Sequence, residues 1–144
     1  MTRTIGIDFS FTHPVDVSDT VHTLIKGGMT PLCDGALLYL IDEDGLFNWQ
    51  KTSPSTLAEV LTEMGNRRWA DRTVGMSLLF PGAERDIGGD LLFHPGRTCL
   101  SYAITINAKR LPNSIFCDMG WYLQRLVPSL EPLGLSEVET QTSP

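Results

Sequence analysis

Three histidines, three cysteines and two runs of carboxylates are the residues of this 144-residue chain that could do chemistry. His13 and His94 each precede a proline, and His22 lies in the first helical pattern. A metal site needs ligands at fixed spacing, such as two histidines one helical turn apart. No pair here has that spacing, and no metal or cofactor is expected. Cys33, Cys99 and Cys117 are odd in number and lack a CxxC spacing, which argues against a disulfide framework and a structural zinc site. A nucleophile pair would use Cys99 or Cys117 as thiol and His22 or His94 as base. Cys99 opens an alternating strand pattern and Cys117 falls within a helical one. Neither occupies a glycine-rich turn at a helix N-terminus, where a thiolate would be stabilised.

The carboxylates Asp42, Glu43 and Asp44 precede Gly45, and Glu84, Asp86 and Asp90 follow later. Acid/base pairs of the glycosidase kind face each other across a cleft, one with a raised pKa. Water-exposed loop carboxylates have no cause for such a shift. Asp42-x-Asp44-Gly45 is similar to the start of a calcium loop, but the later oxygen ligands and the bidentate glutamate do not follow. Gly82 to Gly89 lacks the GxxxxGK[ST] order of a phosphate loop. Arg67, Arg68 and Arg72 around Trp69 read as solvated charges near a helix end, favourable to its dipole.

The elements that position these residues follow from periodicity. Ile5, Ile7, Phe9 and Phe11 alternate with polar or small residues, which predicts a strand with one buried face. Asp16 or Ser18 can cap a helix with Val17, Val21, Leu24 and Ile25 on one side, stopped by Gly27-Gly28. Residues 36–41 predict an inner strand, and 46–50 its hairpin partner across the turn Asp42-Glu43-Asp44-Gly45. Ser53-Pro54 starts a second helix carrying Leu57, Val60, Leu61 and Met64, closed by Gly65. Val74 to Phe80, Leu91 to Phe93 and Leu100 to Ile106 predict three more strands. Gly82 to Gly89 is read as the loop between the first two. Pro112-Asn113 is read as opening a last helix through Ile115, Met119, Tyr122, Leu123, Leu126 and Val127, bounded by Pro128 and Pro132.

The order β-α-β-β-α-β-β-β-α predicts an α+β fold: a mostly antiparallel sheet of about six strands, with about three helices largely on one face. Residues 1–134 are read as a single α+β domain and 135–144 as a polar, acidic C-terminal tail.

The 42 % apolar and 19 % charged fractions are those of a globular protein. Seventeen acidic residues against eleven basic ones give a net charge of −6, which disfavours nucleic acid as a partner and favours encounter with a basic one. No apolar stretch has the length of a membrane span or a signal peptide, so a cytoplasmic setting is expected. Trp49, Trp69 and Trp121 lie beside polar or charged neighbours, and tryptophan is a frequent interface anchor.

A small, acidic α+β chain without a catalytic motif resembles the immunity proteins of bacterial polymorphic-toxin and contact-dependent inhibition systems. The resemblance is one of architecture and charge. It implies that acidic loops and exposed aromatics cover a toxin's active site, here Asp42, Glu43, Asp44, Trp49, Glu84 and Asp86, and the aromatic reading adds Trp121. The expected function is thus a non-enzymatic domain that binds a protein partner, such as a basic toxin or effector. Two alternatives stand beside it. One is a small-molecule-binding or enzymatic domain with a pocket between sheet and helices, lined by Tyr39, His94, Cys99 and Tyr102. The other is a homodimer formed through the last helix or an open sheet edge.

Overall fold

The computed structural model describes residues 5–82 and 85–143. In order, its elements are β1 (Ile5–Phe11), α1 (Val17–Lys26), β2 (Leu32–Cys33), β3 (Ala36–Ile41), β4 (Trp49–Thr52), α2 (Leu57–Met64), β5 (Val74–Phe80), β6 (Ile87–Phe93), β7 (Cys99–Ile106), α3 (Met119–Leu130) and β8 (Leu135–Thr142). The class is α+β. Every strand pair in the sheet is antiparallel, and the order is β2-β3-β5-β6-β7-β1-β8, with β4 on the free side of β3.

Alternation decides which face each strand buries. Ile7, Phe9 and Phe11 of β1 share a face with Leu100, Tyr102 and Ile104 of β7, Leu91 and Phe93 of β6, and Val74, Met76, Leu78 and Phe80 of β5. All three helices pack on that face, through Val17, Val21 and Leu24, then Val60, Leu61 and Met64, then Tyr122, Leu126 and Leu130. At about 25 cal/mol per Å² of apolar surface buried, this cluster is the main driving force for the fold. The opposite face of β5, β6, β7 and β1 carries Gly75, Ser77, Asp90, Leu92, Cys99, Ser101, Ala103, Asp8 and Ser10.

Local signals behave as their chemistry requires. Asp16 rather than Ser18 caps α1, its Oδ2 accepting from the Asp19 N–H at 2.9 Å. Ser53 caps a short 3₁₀ turn, Pro54–Thr56, that leads into α2.

Four expectations need correction. The partner of β3 begins at Trp49, not Leu46, because Leu46 and Phe47 are taken up by the turn. The loop expected up to Gly89 stops earlier, and Gly88 and Gly89 lie inside β6. A side chain at either glycine would collide with Leu79 or with the Ala103 carbonyl, so the strands close only around bare backbone. The last helix starts at Met119, capped by Asp118, and Pro128 lies inside it. Before it, residues 109–118 form a miniature hairpin. Asp118 N–H donates to Lys109 O at 2.8 Å, Leu111 N–H donates to Phe116 O at 3.0 Å, and Asn113 turns the chain at φ 57°. Cys117 therefore lies in this hairpin and not in a helix.

The fourth correction is the stretch expected as a tail from residue 135, which is β8, paired with β1 from Ile5↔Thr142 to Phe11↔Leu135. Beyond Leu135 its side chains are all exposed. Backbone pairing to an open edge, rather than a buried face, makes it a strand, so no hydrophobic period announces it.

Candidate functional site: an apolar hairpin tip with an acidic rim

The β3–β4 connection is built from local chemistry. Asp42 N–H donates to Thr73 O at 3.0 Å, tying the loop to the start of β5. The Asp44 carboxylate accepts from Leu46 N–H at 3.1 Å, and the Asp42 carboxylate from Phe47 N–H at 3.3 Å. Gly45 takes the left-handed backbone at φ 81° without strain. Phe47 takes it too, at φ 50°, a conformation that a bulky side chain adopts only under external constraint. The two aspartates supply that constraint.

This loop projects apolar side chains into solvent. Leu46 is 69 % exposed, Phe47 51 % and Trp49 38 %. Asp42, Glu43 and Asp44 sit beside them, and a shallow cavity of about 220 Å³ opens between Tyr39, Glu43, Asp44 and Gln50. Asp42, Glu43, Asp44 and Trp49 are thus brought into one tip. The sequence predicts Leu46 and Phe47 in a strand, and it is the Asp44 and Asp42 carboxylates bonding their N–H groups that hold them in the exposed turn instead.

The other expected partner residues lie elsewhere. Asp86 is exposed at the far end of β5, separated from Asp42 by the seven residues of that strand, roughly 20 Å at 3.3 Å per residue. Glu84 lies outside the described residues. Trp121 packs edge-on against Phe80 at 5.1 Å and Tyr122 at 5.0 Å. Its face is covered by the Arg125 guanidinium, 3.8 Å from the ring centroid. Trp121 therefore closes the edge of the core. Trp69 is likewise engaged, donating to Glu63 at 2.8 Å with Arg68 stacked on it. Glu63 also pairs with Arg68, and these two donors hold its carboxyl below the usual range.

The four residues proposed to line a sheet–helix pocket do not share one. Tyr102 is buried on the helical face and donates to Leu78 O at 2.7 Å, and burial pushes its phenol well above its ordinary value. Tyr39 packs at the core edge beside the hairpin. Cys99 lies on the opposite face, where His94 bonds Ser101 at 2.6 Å. Burial raises the thiols of Cys33, Cys99 and Cys117, helped by Asp34, Asp8 and Asp118 respectively, which is the reverse of thiolate activation.

Two polar arrangements escaped sequence reasoning because their members are far apart in the chain. Ser101 Oγ donates to Asp8 Oδ1 at 2.6 Å while meeting His94 Nε2, linking β1, β7 and the turn after β6 on the open face. Arg97 is buried and donates to the carbonyls of Arg72, Phe93, His94 and Trp69 at 2.6 to 3.1 Å. Among the described residues no group of three or more His, Cys, Asp and Glu side chains could hold a metal ion. No helix among them is long and apolar enough to cross a membrane. No protein-family model, no curated protein and no solved structure matches this chain.

Proposed function

We propose that this chain is a non-enzymatic protein-binding domain of the immunity type, a cytoplasmic inhibitor that covers the active site of a basic toxin or effector domain. The observation that carries this reading is Phe47, held in a left-handed backbone by Asp42 and exposed between Leu46 and Trp49. Backbone strain of this kind costs about 1–3 kcal/mol and is retained where the surroundings enforce it, often at binding sites. An aromatic anchor with aliphatic neighbours inside a charged rim is the composition of an interface hot spot. The rim of Asp42, Glu43 and Asp44 would speed encounter with a cationic partner and make binding weaken as salt rises. The reading rests on the hairpin tip and does not draw on Trp121, whose face Arg125 covers, or on Asp86, which lies at the opposite end of β5.

The test uses wild-type protein and the double variant Leu46→Ser/Phe47→Ser as baits in lysates of the producing cell, at low and moderate salt. A retained basic protein is then expressed alone and with each bait. The reading requires that the variant fails to retain it, that capture weakens with salt, and that only the wild type relieves the growth defect it causes. Equal retention by both baits, or a captured protein without toxicity, would overturn it.

A further inference from the structure

We infer that β8 is a self-association surface: two copies of this chain pair β8 with β8 antiparallel, joining their sheets into one. The inference is independent of the partner reading above, since β8 and the β3–β4 hairpin lie at opposite edges of the sheet. A sheet edge presents unpaired N–H and C=O groups, and proteins blunt such edges with short strands, lysine or proline. The hairpin side is blunted in this way, with β2 only two residues long and Lys51 on the four-residue β4. β8 runs for eight residues, Leu135–Thr142, without a lysine or a proline. Val138, Thr140 and Thr142 give it β-branched side chains at alternate positions, which suit a strand. From Ser136 onward its side chains are exposed, so no helix covers these residues and a second strand has room beside them. Glu137 and Glu139 are the remaining guard on this edge, and they select how it can pair.

Backbone direction shows which groups are free. Phe11 N–H donates to Thr98 O at 2.8 Å, so the backbone of Phe11 faces β7. Its neighbours face the other way: Ser10 O accepts from Ser136 Oγ at 3.1 Å, and Thr12 N–H donates to Gly134 O at 3.0 Å. Backbone groups alternate in direction along a strand, so Ser10, Asp8 and Gly6 bond their partners Glu137, Glu139 and Gln141. Val138, Thr140 and Thr142 therefore point N–H and C=O outward, and among the described residues no strand meets them. A two-fold axis normal to the sheet pairs these groups with those of a second copy. Charge then selects the register. With Val138 on the axis, Glu137 falls opposite Glu139 of the other copy, and with Glu139 on the axis it falls opposite itself. With Thr140 on the axis, Glu139 meets Gln141, whose amide can donate to the carboxylate, and Val138 meets Thr142. This is the longest register that sets no two carboxylates directly opposite. The two Glu139 side chains become diagonal neighbours, roughly 7–8 Å apart, where salt screens them.

The test is sedimentation equilibrium of the purified chain from about 1 μM to about 1 mM. A reversible monomer–dimer equilibrium is expected. Each copy carries a net charge of −6, and Asp8 lies beside Glu139 on the same face, so the dimer should tighten as salt rises. Thr140→Pro removes an outward donor at a place where an edge strand tolerates proline. It should abolish the dimer and leave the circular dichroism of the monomer unchanged. Gln141→Glu should weaken dimerisation by about fivefold or more and Gln141→Lys should strengthen it, opposite signs that only this register requires. In dimers mixed from labelled and unlabelled chains, the Glu139 Hα should show an intermolecular Overhauser effect to the Gln141 Hα. Should Thr140→Pro unfold the chain, the two Gln141 variants carry the test. A monomer throughout the range would overturn the inference, as would a dimer that survives folded Thr140→Pro or responds alike to both Gln141 variants. So would a dimer lost in Leu46→Ser/Phe47→Ser. An intact dimer without hairpin-dependent protein capture would sink the partner reading alone, and the converse would sink only this one.

Discussion

Trp49 lies over Gly75. A methyl group at Gly75 would sit 3.4 Å from the indole Cη2, and also 2.7 Å from Leu92 Cδ2 and 2.8 Å from the Leu91 carbonyl. The indole of the edge strand therefore rests on bare backbone of β5, anchoring one side of the hairpin tip. Gly75→Ala must displace strand backbone as well as the Leu92 side chain. The expected cost is about 1–3 kcal/mol, read as a lower urea midpoint. Tryptophan emission should shift to the red as Trp49 lifts off the sheet.

Arg97 is a buried guanidinium whose donors are met by backbone carbonyls. Its burial lowers its pKa, with Asp71 opposing that shift. Two of the bonds reach Trp69 and Arg72, so this side chain pins the 66–72 segment to the turn after β6. Arg97→Met removes the guanidinium donors from four carbonyls, of which Trp69 O keeps the Arg72 N–H and His94 O keeps the Arg97 N–H. Stability should fall by about 3 kcal/mol, since hydrogen bonds to charged groups contribute about 1.5–3 kcal/mol each and water replaces some of them. Chemical denaturation measures it, and a loss under about 1 kcal/mol would show that water solvates the site freely.

The hydroxyl of Ser101 has one proton, and it points to Asp8 Oδ1. The imidazole nitrogen that meets the same oxygen must then donate, so His94 carries hydrogen on Nε2. Nitrogen-15 spectra of the ring should show the Nε2–H tautomer in the neutral form. Ser101→Ala removes the acceptor and should relax that preference. An Nδ1–H tautomer in the wild type would contradict the geometry.

Tyr122 is pushed up to about 12, chiefly by burial, with its bond from the Lys109 backbone acting the other way. Tyrosine in the unfolded chain titrates near about 10. Between these values the folded state holds the phenolic proton and the unfolded state releases it, so stability falls as pH rises. The contribution is fully present below the unfolded value and is lost as pH climbs through the folded one. Tyr102, raised in the same direction, adds to the slope. Tyr122→Phe should flatten the decline between pH 10 and about 12 when urea midpoints are compared across that range.

Much of the fold was legible because it rests on local period and capping. The alternation in β1, β5 and β7, the stripes of α1 and α2, and the Asp16 and Ser53 caps are each written within a dozen residues. β8 escaped because its exposed side chains have no period, and its strand character comes from the edge of β1, more than 120 residues away in the chain. The onset of α3 was misplaced because Leu111, Ile115 and Phe116 are apolar but exposed. Helical spacing is not evidence of helix when a left-handed Asn113 turns the chain first.

For the candidate sites, the division between chain and fold is sharper. Sequence alone determined that Asp42, Asp44 and Gly45 make a turn, because the hydrogen bonds that build it span five residues or fewer. Only the tertiary structure decided that Asp42 and Asp86 stand at opposite ends of β5 and that Trp121 faces its own core while Trp49 does not. The same holds for the edge that β8 leaves open. Those outcomes depend on strand order, and pairing between distant segments leaves no short-range period in the sequence from which to read it.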